Sequence, residues 1–193
     1  MFQPWITLRS LPFYPLLVIR PMKVYKKLLR LSPFKACGPD AIPNRILKLF
    51  ASEFSETMTT IFNWSLSSGD FPSAWRDAYI SPIQKVSPAT YDNDLWPVAL
   101  TACLSKLFKD FVVQWLMEDI KEHIDPNQFG CLEGVSSTFC LLDKLHNWLS
   151  ALESPGTYLR VCFLDFSKAF NHIGLNVLVC KLLKMGARPI IVQ

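Results

Sequence analysis

Residues 44–68 repeat apolar side chains at threes and fours: Ile46, Phe50, Phe54, Met58, Ile61, Phe62 and Leu66. That spacing puts them on one face of a helix, and such a face must be buried against a partner. Gly69 follows the last of them and marks the helix stop. The pattern returns over about 102–122 in Leu104, Leu107, Phe108, Phe111, Val112, Trp115, Leu116 and Ile120, bounded by Pro126. A third helix is expected after a cap at Ser136 or Ser137, burying Leu141, Leu142, Leu145, Trp148, Leu149 and Leu152 before Pro155 and Gly156. A fourth carries Leu175, Leu178, Val179, Leu182 and Leu183, with Gly186 after it, and KVYKKLLRL (23–31) reads as a short basic helix.

Extended structure fills the intervals. DAYISPIQKV (77–86) has strand-forming residues but contains Pro82, which points to an edge strand or a bend. After the turn-rich SPATYDND, WPVAL (96–100) returns as the second arm of a hairpin-like pair. YLRVCFLDF (158–166) is almost wholly apolar and predicts a strand covered on both faces. The fold class is therefore α+β and mainly helical. Residues 1–21 are apolar and Pro-rich without a period, and are expected to form an extended or poorly ordered arm.

Charge is unevenly placed. Residues 1–50 carry nine Lys or Arg and one acid, whereas 51–193 carry eleven bases and fifteen acids. A basic N-terminal quarter suits contact with nucleic acid as well as a solvated face. The six cysteines form no CxxC and several sit in apolar runs, which reads as buried thiols in a reducing compartment. The three histidines are far apart and form no HExxH, which argues against zinc chemistry. No apolar run reaches the roughly 18 residues of a membrane helix, and the N-terminus lacks the pattern of a signal peptide. A nuclear or cytoplasmic location is the expectation.

One acid stands out. Asp165 lies near the end of the apolar run VCFLDFSKAFNHI (161–173), where a carboxylate needs a metal, a base or backbone N–H donors. It can serve as a cap for the helix that follows. It can be the nucleophile of a phosphotransferase, although Ser167 stands where such enzymes want a second acid. It can also be a magnesium ligand at the strand end of a polymerase palm.

The wider sequence bears on that choice. FLDFSKAFNHI resembles the first palm motif of reverse transcriptases of non-LTR (LINE-type) retrotransposons. KACGPDAIPNRILK (35–48) resembles their KACGPDGIP block, and FNWSLSSGDFPSAWRDAYISPIQK (62–85) their fingers segment ending in PIxK. WPVALTACLSKLFK (96–109) resembles RPISLTSxLSKxxE, and DPNQFGCLEGVSST (125–138) resembles QFGFxxGxST. Five blocks fall in the family's order over roughly residues 22–188.

The resemblance implies an incomplete right-hand polymerase fold, with fingers over about 22–155 and the start of the palm over about 156–193. It implies that Asp165 binds catalytic Mg2+, with the backbone of Phe166 beside it. Lys85 would meet the triphosphate of an incoming dNTP. Phe170 would lie under its sugar and reject a 2′-hydroxyl. Gln128, Gly130, Gly134 and Ser136 would line the template path. The implied partners are an RNA template, a DNA primer and dNTP, with no membrane; the basic N-terminal region would add non-specific nucleic-acid contact.

The chain also departs from the family pattern. Trp96 replaces the arginine of RPIS and Ala99 its serine, Asn171 replaces the closing Asp of the palm motif, and Ala41 replaces the glycine of GPDGIP. The last change puts a Cβ in a turn that wants positive φ. No ADD sequence is present, so one half of the two-metal acid set is lacking. The expectation is a reverse-transcriptase fragment that is inactive by itself. A nucleic-acid-binding module and a ligand-free helical scaffold are the alternatives.

Overall fold

The computed structural model describes residues 17–167 and 169–192. Residues 1–16, which include most of the arm expected over 1–21, and the side chain of Asn171 lie outside the described residues. The helices are α1 (Pro21–Leu29), α2 (Asn44–Leu49), α3 (Ala51–Ser68), α4 (Cys103–Ile120), α5 (Ser137–Leu152), α6 (Leu175–Lys184) and α7 (Pro189–Val192). Two strands, β1 (Ala78–Gln84) and β2 (Leu95–Thr101), pair antiparallel. The class is α+β with helix in excess. The chain divides into two compact units, one running to Met117 and resuming at Arg188, the other Glu118–Ala187.

The first unit holds the core. Val24 and Leu28 of α1, Leu47 of α2 and Phe62 of α3 are fully buried, with Leu104, Leu107, Phe108 and Phe111 of α4 close behind. Phe62 stacks on Phe108 at 5.2 Å between ring centroids and meets Trp75 edge-on at 5.6 Å. The segment before α1 is tied to α3 by a paired amide contact: Ile19 N donates to Asn63 Oδ1 at 2.8 Å, and Asn63 Nδ2 donates to the Ile19 carbonyl at 2.9 Å. Lys27 pairs with Asp110 and lies 4.6 Å from the Phe111 ring centroid, joining α1 to α4.

The expected 44–68 helix is divided at Phe50, whose φ of −104° and ψ of 36° separate α2 from α3. The buried face also differs from the apolar stripe at its start. Leu47, Ala51 and Ser55 are buried, whereas Ile46 and Phe50 are exposed. Two anchors explain this: Asn44 Nδ2 donates to the Ser32 carbonyl and Lys48 Nζ to the Leu31 carbonyl, fixing the rotation of α2. Small hydroxyl residues then line the packed face of α3. Ser55 and Thr59 donate to carbonyls one turn back, at 2.8 and 2.6 Å, so their burial leaves no donor unsatisfied.

The hairpin follows the sequence reading. Pro82 faces Pro97 in the register, and Ala78 faces Thr101. In a two-stranded ribbon both strands are edges, so two residues without an N–H are tolerated opposite each other. Gly69 closes α3 at φ 67°, as its position predicts.

Ala41 adopts φ 52°, the conformation for which the family's glycine is suited. An L-residue there costs roughly 1–2 kcal/mol, part of which the greater unfolded-state freedom of glycine cancels. Ala41→Gly is therefore expected to raise stability by about 1 kcal/mol, read as a higher urea midpoint. An unchanged or lower midpoint would rule the strain out.

The second unit departs most from expectation. Residues 157–166 form no strand and are exposed. The only paired strands among the described residues are β1 and β2, so this segment has no neighbour to receive its backbone hydrogen bonds. The stripe of α5 predicted to be buried is also open: Leu141, Leu142, Leu145, Leu149 and Leu152 are all exposed. All six cysteines are free, as expected, but only Cys103 is buried. Among the described residues no helix is long and apolar enough to cross a membrane.

Candidate functional site

Lys85 directly follows β1 in the first unit. Its backbone N–H donates to the Asp94 carbonyl at 2.8 Å, and its ammonium donates to the Asn93 carbonyl at 3.0 Å. The turn it closes is organised by Asp94, whose Oδ2 accepts from the backbone N–H groups of Thr90 and Tyr91, each at 3.0 Å. Those bonds, with a smaller contribution from Lys85, hold the Asp94 carboxyl below the usual carboxylate range. Lys85 thus has a hairpin-closing role of its own, and its exposed ammonium keeps donors for an anion. Trp96, where the resembling block has arginine, is exposed on β2 opposite Ile83.

The remaining expected site residues lie in the second unit. Gln128 and Gly130 belong to one loop, where Gln128 Nε2 donates to the Gly130 carbonyl at 2.9 Å. Gly134 has φ 80° with open space where a Cβ would project, so its backbone angle alone asks for glycine. Gly130 has neither a positive φ nor a tight neighbour. Ser136 caps α5: its side chain accepts from Phe139 N at 3.4 Å. Two further features shape the loop. Cys131 sits at φ 60°, and Lys144 of α5 reaches back to Asn127 Oδ1 at 3.1 Å while lying over the Phe129 ring. Nothing in spacing or composition signals that tether.

Asp165, Phe166 and Phe170 are exposed, the last within a 3-10 turn over Ala169–His172. Among the described residues the Asp165 carboxylate makes no hydrogen bond or ion pair. Nor do the described residues contain a cluster of three or more His, Cys, Asp or Glu suited to a metal ion. Asp165 and the Phe166 carbonyl are hard oxygen donors of the right kind for magnesium. One carboxylate does not make a two-metal site, however, and these residues alone do not fit that group.

No protein-family model matches the chain. Three curated proteins of Drosophila melanogaster are similar to it. The RNA-directed DNA polymerase from mobile element jockey is 28% identical over 162 residues, 82% of this chain and 18% of its own length. The probable RNA-directed DNA polymerase from transposon X-element is 30% identical over 177 residues, with coverages of 84% and 18%. The probable RNA-directed DNA polymerase from transposon BS is 27% identical over 184 residues, with coverages of 93% and 20%. The chain spans about a fifth of the length of these relatives.

Proposed function

The chain is a reverse-transcriptase segment of the non-LTR mobile-element type, and from that premise we propose that it supplies the fingers and the start of the palm to an RNA-directed DNA polymerase. The fingers run over about 22–155 and the palm begins at about 156. Lys85 meets the triphosphate of the incoming dNTP, and Phe170 lies against its sugar. Gln128, Gly130, Gly134 and Ser136 border the RNA template ahead of a DNA primer. Asp165 is one carboxylate ligand for magnesium, with the Phe166 carbonyl beside it; the other acids of a two-metal set would come from outside the described residues. The protein acts in the nucleus or cytoplasm, where its nucleic-acid partners are.

The observation that carries this reading is the meeting of two of the resembling blocks. A Cβ on Gly38, in KACGPDAIP, would stand 2.4 Å from the Ala102 backbone nitrogen, in VALTACLSK. Blocks far apart in the chain are fitted to each other at backbone contact, as parts of one fingers scaffold would be.

A graft tests the proposal. The chain replaces the matching segment of the jockey polymerase, once as it stands and once with Trp96→Arg and Asn171→Asp restoring the family residues. The restored graft is expected to incorporate dNTPs on an RNA template, and Asp165→Ala to lower the rate by roughly a thousandfold, or about 4 kcal/mol of barrier. The 193-residue polypeptide alone is expected to extend no primer, because it offers one palm carboxylate. Activity of the restored graft that survives Asp165→Ala would overturn the role of Asp165. A restored graft that folds and binds primer–template yet incorporates nothing would overturn the reading as a whole.

A further inference from the structure

A second polar site lies in the first unit, away from the hairpin turn that Lys85 closes. A cavity of about 320 Å³ is lined by the end of the α1 segment (Arg30, Leu31, Ser32), by Lys35, by Asn44 of α2 and by the first turns of α4 with Cys103 and Lys106. Three side-chain cations, Arg30, Lys35 and Lys106, border it, and among the described residues none of them forms a salt bridge. The acid in the lining, Asp110, is already paired with Lys27.

Other observations point the same way. The eighteen-residue helix α4 begins at this cavity and carries no acid in its first turn, so its positive pole adds to the field. Burial pushes the Cys103 thiol up, while Lys106 and Lys35 pull it down and Asp40 pushes it up. Both lysines therefore act on the cavity lining, against a single further acid. Asn44 is 5% exposed and its Nδ2 is held by the Ser32 carbonyl, which fixes that wall of the cavity; its unpaired Oδ1 is an acceptor and leaves phosphate binding to the three cations.

The charge continues beyond the cavity. Lys23 and Lys26 of α1 and Arg30 at its C-cap are exposed at spacings of three and four, a stripe about 10 Å long on one helical face. A single anion would need only the cavity. A stripe that leads into it suits a row of phosphates.

We infer that this cavity and the α1 stripe form a clamp for the phosphodiester backbone of a single nucleic-acid strand, held by Arg30, Lys35 and Lys106. The inference rests on the nucleic-acid reading of the chain and adds to it a site that neither the palm motif nor the template loop contains. Phosphates are read here, not bases, so the clamp is indifferent to sequence.

The test measures binding of the full chain to oligouridylate and to oligothymidylate over a series of salt concentrations. The triple variant Arg30→Gln, Lys35→Gln, Lys106→Gln is expected to lower the slope of log affinity against log salt by about 2, from roughly 0.7 for each phosphate of a single strand that is no longer neutralised. Affinity should fall at least about tenfold, and equally for both strands. The control Lys181→Gln, Lys184→Gln removes exposed charge from α6 and should leave the slope unchanged. A triple variant with the unmodified chain's slope would overturn the clamp while leaving the polymerase assignment untouched. So would an equal loss in the control, or full displacement of the strand by millimolar inorganic phosphate, which would mark a single-anion pocket. If the unmodified chain binds neither strand at low salt, the nucleic-acid reading fails and the clamp fails with it.

Discussion

Gly38→Ala is expected to leave the first unit unable to fold stably. A Cβ at this position would stand 2.4 Å from Ala102 N, 2.5 Å from the Thr101 carbonyl carbon and 2.6 Å from Ala102 Cα. All three are backbone atoms, so no side chain can rotate to make room. Relief requires moving the junction where β2 ends and α4 begins. Thr101 is the register partner of Ala78, and the Ala102 carbonyl accepts from Lys106 N at 3.2 Å to start α4. Ala102 is itself fully buried. Shifting it disturbs the hairpin end and the α4 turn together, so the cost should reach about 3 kcal/mol or more, at the upper end for a single added methyl. Circular dichroism against urea would show a lost or strongly weakened transition. Gly130→Ala is the natural comparison, because the nearest atom to its Cβ, Gln128 Nε2, is 3.7 Å away; its midpoint should not move. A Gly38→Ala variant within about 0.5 kcal/mol of the unmodified chain would show that the loop at Gly38 and the β2–α4 junction are not held in contact.

The requirement at Gly38 was not legible as such in the sequence, because close approach between segments leaves no local signal. The strain at Ala41 was legible, since it follows from the turn alone. The same division runs through the fold. The α4 stripe, the Gly69 stop, the Ser136 cap and the hairpin with Pro82 at an edge are all set by local pattern, and the structure has them. In α3 the buried face includes Ser55, Thr59 and Ser65, which a hydrophobicity pattern does not count, because their hydroxyls are satisfied inside the unit. In α5 the pattern is helical and amphipathic, yet periodicity says which face wants cover without supplying the cover. The apolar run at 158–166 shows the same limit: strand propensity needs a neighbouring strand before it becomes a strand. Asp165 could be singled out from sequence because an acid in an apolar run is conspicuous. The cations at Arg30, Lys35 and Lys106 come from separate elements, and only folding brings them to one cavity.

Phe62→Ala is expected to be the most damaging truncation of a side chain in the first unit. Phe62 is fully buried, and its ring lies within 5.2–6.3 Å, centroid to centroid, of Phe108, Trp75 and Phe111. It therefore joins α3, the turn at Ser73–Trp75 and α4 at one point. Removing it deletes a large apolar side chain and leaves a hole bounded by rings that are themselves pinned: Phe108 also meets Phe71 and Trp75, and Phe111 meets Trp115 and Lys27. Such walls collapse poorly, so the cost should lie near the upper part of the 3–5 kcal/mol range for Phe→Ala. Leu149→Ala in α5 removes a side chain that is 57% exposed and should shift stability by no more than about 0.5 kcal/mol. Comparing the two by denaturation of the whole chain locates the stabilising core. If Leu149→Ala destabilised the chain as much as Phe62→Ala, the open face of α5 would have to be covered in solution, and the stability of the chain would not rest on the Phe62 cluster.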